Sequence, residues 1–515
     1  MLTPYQPTPL ADFGRPEEAR RMKEALELVE RQLGGAYPLR IGGDDVWSEA
    51  TIVSENPARR GQVVGTIASA GPEHATAAIE AASRAFEDWS RTEPEARARC
   101  LLKAAAMLRR RIHEFCAWLV YEVSKTWPEA YAEAAEAVDF MEYYAREMMR
   151  LAGAHPVTPY PGEENELRYL PLGVGVVIAP WNFPLAILCG MTTAAAVAGN
   201  TVVAKPSSSS PIVASRLFAL LEAAGFPAGV LNLVPGPGSQ VGDLLVSHPG
   251  VRFVSFTGSR EVGVRIFQLA AQVHTGQKWL KRTVLEMGGK DAIVVDATAD
   301  IQEAADGIIA SAYGYQGQKC SACSRLIAVQ EVYDQIVEAV VEKARGLRVG
   351  DPADPTTALG AVIDDRARAR IEAAIAEGYS AARCVLSGGP APDTGAFVPP
   401  TIIADVAPGA KLAQEEIFGP VLAVIRARDF SHALEIANGT EYGLTGSVYS
   451  RDRLHLELAR REFHVGNLYF NRKCTGALVG VQPFGGFNMS GTDSKAGGPD
   501  YVGLLLQAKS ITERF

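Results

Sequence analysis

A chain of 515 residues, 47% apolar and 21% charged, can bury large cores, and its length suits two or three domains rather than a tail or a mini-protein. A formal charge of −9 leaves no surplus of Lys and Arg for phosphate, which argues against a nucleic-acid or anionic-membrane surface and makes small molecules the expected partners. Seven cysteines, an odd number spread from Cys100 to Cys474, do not form a disulfide framework and point to a reducing, cytoplasmic compartment.

Met1 to Ala11 carries prolines and polar residues where a secretory leader needs a charged start and an apolar run. Pro16 to Leu33 sets apolar residues at helical spacing among many charges and predicts an amphipathic helix packed on the main body. Ala75 to Arg150 stays helical, through alanine-rich stretches and a second run from Leu101 to Val123. Leu151 to Leu170, with His155, Pro156, Pro159 and Pro161, reads as extended.

No charge occurs from Tyr169 to Ala204, a length sufficient for a membrane span. Pro171, Gly173, Gly175, Pro180, Pro184, Gly190 and Gly199 interrupt it, so no span is expected. The stretch reads instead as a strand Gly173 to Pro180, a turn Trp181-Asn182-Phe183-Pro184, a helix to about Ala198 and a strand Thr201 to Ala204. Continuous apolar strands joined this way predict a βαβ unit in a parallel sheet. The alternation continues with helix Pro211 to Ala224, strand Val230 to Val234, helix Gly238 to Ser247 and strand Val251 to Phe256. It restarts after Glu286 with strand Ala292 to Val295, helix Ile301 to Tyr313, strand Arg325 to Val329 and helix Val332 to Ala344. Two doubly wound α/β domains follow, with ligands beyond the carboxyl ends of the strands.

Chemistry-bearing residues fall at the joints of this pattern. Gly317-Gln318-Lys319-Cys320-Ser321 puts a thiol on a loop between helix and strand, where scaffold-held catalytic groups concentrate, and Lys319 beside it is expected to favour the thiolate. A lone cysteine is more often inert core, so its company decides. Glu286-Met287-Gly288-Gly289-Lys290 ends an apolar strand with a carboxylate before two glycines. Asn182 stands where an amide donor meets a developing oxyanion, or merely caps a helix. Lys205 at a strand end, and Phe256-Thr257-Gly258-Ser259 with Gly263 opening a helix, suit a dinucleotide, although the glycine spacing departs from GxGxxG. Glu416-Ile417-Phe418-Gly419-Pro420 offers an acid and an aromatic from the second domain.

WNFP, VVAKP, FTGS, EMGG, GQKCSA, EEIFGP and PFGGF occur in this order over almost the whole chain, and together they resemble the aldehyde dehydrogenase superfamily. The resemblance implies that Cys320 is the nucleophile, Glu286 the general base and Asn182 the oxyanion donor. It implies a nicotinamide dinucleotide, NAD or NADP, on Ile178, Ala179, Pro180, Trp181, Lys205, Ser208, Gly238, Thr257, Gly258, Ser259, Gly288, Glu416 and Phe418, with no metal. Ser208 replaces a glutamate that often repels a 2′-phosphate, which leaves the choice between NAD and NADP open. The implied architecture is a helical segment over 1–40, a Rossmann-like cofactor domain over 41–155 and 172–285, and a catalytic domain over 286–485. A small β element over 156–171 and 486–515 is expected to assemble a homo-oligomer built from dimers.

Asn467 to Arg472 and Thr475 to Gly480, within Phe463 to Phe487, are similar to the branch of that superfamily acting on L-glutamate γ-semialdehyde. This implies that Gly476, Ala477 and Ser321 hold an α-carboxylate, that Glu136 faces an α-amino group, and that Phe183 and Phe484 flank the aliphatic chain. A glycine turn is a sound anion nest. Glu136 also fits a solvated helix face. Another carboxylated semialdehyde is the nearest alternative, with Glu136 as the discriminator, and a non-catalytic binding member is the alternative from another class. Cys320-x-x-Cys323 has the spacing for a disulfide on oxidation, against a small core cysteine as the plain reading.

Overall fold

The computed structural model describes residues 3–153 and 155–515. Strand Val174–Ile178 is buried on both faces almost throughout, which is why its run is continuously apolar rather than alternating. Helix Ala186–Val197 follows the Trp181 turn, and the chain returns as strand Thr201–Lys205, parallel to the first. The uncharged stretch is thus a βαβ unit, and among the described residues no helix is long and apolar enough to cross a membrane. Gly175 carries no side chain because the ring of Phe253, on the neighbouring strand, already fills the place its Cβ would take.

Five parallel strands form the body of the first seven-stranded sheet, in the order Arg282–Glu286, Val251–Thr257, Val174–Ile178, Thr201–Lys205 and Leu231–Leu233. A hairpin, Leu39–Ile41 and Asp44–Val46, extends it antiparallel. The second sheet also has seven strands: Arg383–Leu386, Thr401–Ala404, Val421–Ala427, Cys323–Val329, Asp291–Val295, Thr445–Tyr449 and Asn467–Phe470. Only its first strand is antiparallel to its neighbour. The two doubly wound units read from the sequence are both present. Helix Gly238 to Ser247 is split into a π turn, Gly238–Gly242, and a short α-helix, Asp243–Ser247, since glycine at both ends of the turn weakens regular helix. The strand expected from Arg325 starts two residues earlier, at Cys323.

Helix Pro16–Glu30 buries Met22, Ala25, Leu26 and Val29 and packs on helix Ile112–Val123. Helices Pro72–Trp89, Pro94–Arg110 and Trp127–Leu151 each begin with a proline in the first turn, where no intrahelical N–H bond is lost. Strand Leu506–Arg514 pairs antiparallel with Glu163–Pro171 along a largely exposed ribbon. The residues just before it fold back on the first sheet: Met287 N donates to Ser490 O at 2.8 Å and Thr492 N to Leu285 O at 3.0 Å.

Asn200 joins these parts. Its Oδ1 accepts from Leu172 N at 2.7 Å and Gly173 N at 2.9 Å, and its Nδ2 donates to Ala195 O and Leu505 O at 3.2 and 2.9 Å. The side chain is fully buried, so none of these groups has water as an alternative. Asn200→Ala is therefore expected to destabilise the chain by about 2 to 4 kcal/mol, read as a lower midpoint in denaturant unfolding.

Candidate active site

Helix Ile301–Tyr313 ends at Gly314, and the next turn is tight enough to put Tyr315 (φ 51°) and Gln316 (φ 56°) in the left-handed region. Non-glycine residues there cost about 1 kcal/mol or more each, so the surroundings must hold them. Tyr315 Oη donates to Val123 O at 3.0 Å, Gln318 Oε1 accepts from Ile363 N at 2.9 Å, and Lys319 Nζ pairs with Glu129 at 2.8 Å. Cys320 emerges from this braced turn into a cleft. Burial and the carboxylates of Asp291, Glu416 and Glu286 push its thiol well above the ordinary range. Lys319 does not act as the sequence suggested: its ammonium is committed to Glu129 and does not lower the Cys320 thiol.

Asn182 follows the carboxyl end of strand Val174–Ile178 and is buried, with Nδ2 donating to Gln318 O at 2.9 Å. The amide is thus fastened to the Cys320 loop, and Nδ2 keeps a second hydrogen to donate. Three residues on, Leu185 N and Ala186 N donate to Glu133 Oε1 at 2.8 and 3.1 Å, so a carboxylate caps the helix. Glu133 pairs with Lys125 at 2.6 Å, both fully buried, and Lys125 Nζ lies 3.6 Å from the Phe183 ring centre and 4.3 Å from that of Tyr315. One buried cation therefore touches both turns that carry the chemistry.

Glu286 ends strand Arg282–Glu286 at the sheet edge. Ser494 Oγ donates to Oε1 at 2.5 Å and Gly486 N to Oε2 at 3.3 Å. Burial outweighs these donors and pushes the carboxyl up to about 8. Such a group is an acid below that pH and a base above it.

All thirteen positions named for a dinucleotide line one cavity of about 470 Å³, and Cys320 and Asn182 share its wall. The groups fit the ligand. Lys205 Nζ is buried with only a 3.5 Å bond to Pro206 O, and desolvation lowers it to about 8. Glu416 receives one backbone bond, from Gly289 N at 3.1 Å, and burial raises it to about 7. A Cβ at Gly288 would collide with the Glu416 carboxylate. Ser259 caps helix Arg260–Ala270, and Phe418 stands edge-on to Trp181 at 5.5 Å. Ser207, Met287 and Arg370 also line the cavity. Arg370 comes from helix Asp365–Ala381, where nothing in the sequence marks it.

Gly476 has φ +73°, and Arg472 Nη2 donates to Thr475 O at 3.1 Å and Gly476 O at 3.2 Å. Among the described residues the N–H groups of Gly476 and Ala477 donate to no protein acceptor. Cys474 Sγ donates to Ser321 O at 3.5 Å, tying this nest to the nucleophile loop. Cys323 starts its strand inside the core, and its thiol meets Cys474. Glu136 is partly exposed; burial, with the charge of Glu133 beside it, raises its carboxyl to about 8. It is not a freely solvated helix face. Phe484 pairs its backbone with Ala496 and immediately precedes Gly485-Gly486, the turn beside Glu286. Sequence reasoning missed Ser494, Lys125 and Glu133: Ser494 reaches Glu286 across 208 residues and Glu133 reaches Leu185 N across 52, and no local motif marks the Lys125–Glu133 pair.

A thiol, an amide donor and a buried carboxyl around a cleft between two α/β sheets define a class, and the chain's relatives agree with it. The aldehyde dehydrogenase family matches residues 46–511, and the chain belongs to that family. A 1-pyrroline-5-carboxylate dehydrogenase of Geobacillus kaustophilus (strain HTA426) is 58% identical over 516 residues, covering 100% of both chains. That of Bacillus cereus (strain ATCC 10987 / NRS 248) is 54% identical over 514 residues, again covering 100% of both. The crystal structure of 1-pyrroline-5-carboxylate dehydrogenase from Thermus with bound NAD is similar at a TM-score of 0.98 and 53% identity over 100% of both chains. Proline utilization A (PutA) from Bdellovibrio bacteriovorus matches at a TM-score of 0.98 and 44% identity, over 99% of this chain and 53% of that one.

Removing one partner of the Lys125–Glu133 pair strands the other charge in the interior. Lys125→Met is expected to lower stability by about 3 to 5 kcal/mol, and the double variant Lys125→Met with Glu133→Gln to recover much of that loss. Denaturant unfolding of the three proteins measures both effects.

Proposed function

We propose that the chain oxidises L-glutamate γ-semialdehyde, the open form of 1-pyrroline-5-carboxylate, to L-glutamate with NAD, in proline catabolism. The observation that carries the chemistry is that Cys320 and Asn182 share the wall of the cavity lined by the whole dinucleotide set. The substrate reading is supported by the nest at Gly476 and Ala477, tied through Cys474 to Ser321, and by the largely buried carboxyl of Glu136. It is supported too by full-length likeness to proteins named for that substrate.

Cys320 Sγ bonds to the aldehyde carbon as the carbonyl electron pair moves to oxygen, where Asn182 Nδ2 and the Cys320 N–H receive it. The thiol proton passes to Glu286. NAD, when bound across Lys205, Glu416 and the Gly258 turn, supplies the hydride acceptor. The acyl group is left on Cys320 as a thioester and Glu286 gives the thiol proton up to solvent; the carboxylate then takes a proton from water as that water attacks and hands it to the departing sulfur, so that glutamate leaves with the thiol restored. Gly476, Ala477 and Ser321 hold the α-carboxylate, Glu136 the α-ammonium, and Phe183 and Phe484 the methylene chain between. NADP is the alternative cofactor, because Ser208 presents no carboxylate to a 2′-phosphate. Succinic and 2-oxoglutaric semialdehydes are the alternative substrates.

The domain boundaries expected above are retained as our assignment, with residues 486–496 placed at the active site as well. We assign a homo-oligomer built from dimers to the exposed ribbon of Glu163–Pro171 and Leu506–Arg514, and to the exposed Phe267, Val273 and Leu280 near the first sheet's edge.

Cys320→Ala is expected to abolish turnover; Glu286→Gln, in which the thiol proton must leave through water instead, is expected to reduce about one equivalent of cofactor slowly and then stall at the thioester. Repeated turnover by Cys320→Ala overturns the mechanism. A substrate lacking the α-amino group is expected to lose at least tenfold, roughly, in kcat/KM. Because Glu286 must be charged to accept a proton, kcat is expected to climb with pH through about 8. Ser494→Ala removes a donor that favours the charged form and is expected to move that limb to higher pH.

A further inference from the structure

The segment ahead of the first helix crosses helix Trp127–Leu151 and ends up beside the loop that follows Gly476 and Ala477. Phe13 stands edge-on to Trp127 and Tyr131, with ring centres 5.5 and 6.0 Å apart. Thr8 donates three times to Asp139, from N at 2.9 and 3.1 Å and from Oγ1 at 2.6 Å. Tyr5 Oη donates to Val479 O at 3.0 Å, and its ring meets Tyr143 edge-on at 5.2 Å. Gly480, at φ +73°, has no room for a Cβ between the rings of Tyr5 and Tyr143. Arg146 Nε closes the strap by donating to Thr3 O at 3.1 Å.

These anchors are not scattered. Asp139 and Tyr143 lie three and seven residues beyond Glu136, on one stripe of the helix. Val479 lies two residues beyond Ala477. The strap therefore grips the helix that carries Glu136 and the loop that carries the anion nest, and fixes one against the other. An α-amino acid has its ammonium and carboxylate on one carbon, so the groups that receive them must keep a set separation, to within about 0.5 Å for full effect.

We infer that Tyr5 and Thr8 are specificity-determining positioning residues: the N-terminal strap sets the distance between Glu136 and the Gly476-Ala477 nest, and so selects aldehydes that carry an α-amino acid end. This rests on the reading of Glu136 and the nest given above. Asp139, pushed upward by burial, is gripped rather than solvated, and its charge is met by Thr8, with Arg109 and Glu142 facing it from the helices. The strap touches neither Cys320 nor the dinucleotide cavity, so the chemical step should not feel it.

The test compares Tyr5→Phe, which keeps the ring and removes the hydroxyl, and the double variant Tyr5→Ala with Thr8→Ala, against the unaltered enzyme. Each is assayed with L-glutamate γ-semialdehyde, succinic semialdehyde and propanal at saturating NAD. The expected result is a KM for glutamate semialdehyde raised about fivefold in Tyr5→Phe, the equivalent of one hydrogen bond, and further in the double variant. The kcat for that substrate and the kinetics with propanal should stay within about twofold, since neither depends on the amino acid end. A loss shared equally by propanal makes the strap a general support of the fold and overturns the inference. So does an unchanged KM in both variants. If the unaltered enzyme shows no preference for glutamate over succinic semialdehyde, the reading of Glu136 falls and takes this inference with it; a preference that survives in both variants overturns the inference alone.

Discussion

Two turns from different sheets must meet for this site to exist, and the buried Lys125–Glu133 pair is what holds them in register. Glu133 binds the first turn of the helix behind Asn182, and Lys125 lies over Phe183 from one turn and Tyr315 from the other. Taking two charges out of water costs several kcal/mol each, so the pair is poor value as a source of stability. Its worth is directional. An apolar substitute would fill the volume but would fix neither the capped helix nor the ring positions, and Asn182 would lose its aim at the nucleophile loop.

The electrostatics spread outward from this pair in an alternating pattern. Lys319 joins Glu129, Lys473 lies beside both, and Glu136 completes the cluster. Glu136 alone lacks a cation of its own, and burial with like charge nearby raises its carboxyl. In the proposed function a substrate ammonium supplies what is missing, so that binding and ionisation of this carboxyl would reinforce each other.

The parts of the fold that were legible in the sequence are those whose physics is local. Continuous apolar runs announced strands buried on both faces, and helices Pro211–Ala224 and Ile301–Tyr313 end where proline, Asp300 and glycine punctuate them. The hairpin around Gly42 and Gly43 escaped notice because its strands are three residues long. At the site, motifs in order picked out positions that the fold brings to one cavity. What supports those groups was not legible. Ser494 reaches Glu286 across 208 residues, and no property of Thr-Asp-Ser-Lys announces it. Lys319 misled for the complementary reason: adjacency to Cys320 suggested a shared role, whereas its side chain leaves the tight turn for a partner 190 residues away. Cys323 is a similar lesson, since two residues of strand turn it into the core toward Cys474.

The carboxylates around Cys320 look at first like poor surroundings for a nucleophile. Asp291, Glu416 and Glu286 all disfavour negative charge on sulfur, and no cation in the turn offsets them. The arrangement makes sense if charge is not meant to rest there. A protonated thiol is slow to react with oxidants or stray electrophiles. In the proposed mechanism negative charge becomes favourable only when it can move to a place with donors, and that place is the aldehyde oxygen beside Asn182 and the Cys320 N–H. Glu286, itself buried and reluctant to ionise, is suited to take the proton at that moment. The same low-dielectric setting thus keeps the nucleophile quiet without substrate and makes the oxyanion, rather than the sulfur, the favoured seat of charge once the aldehyde arrives.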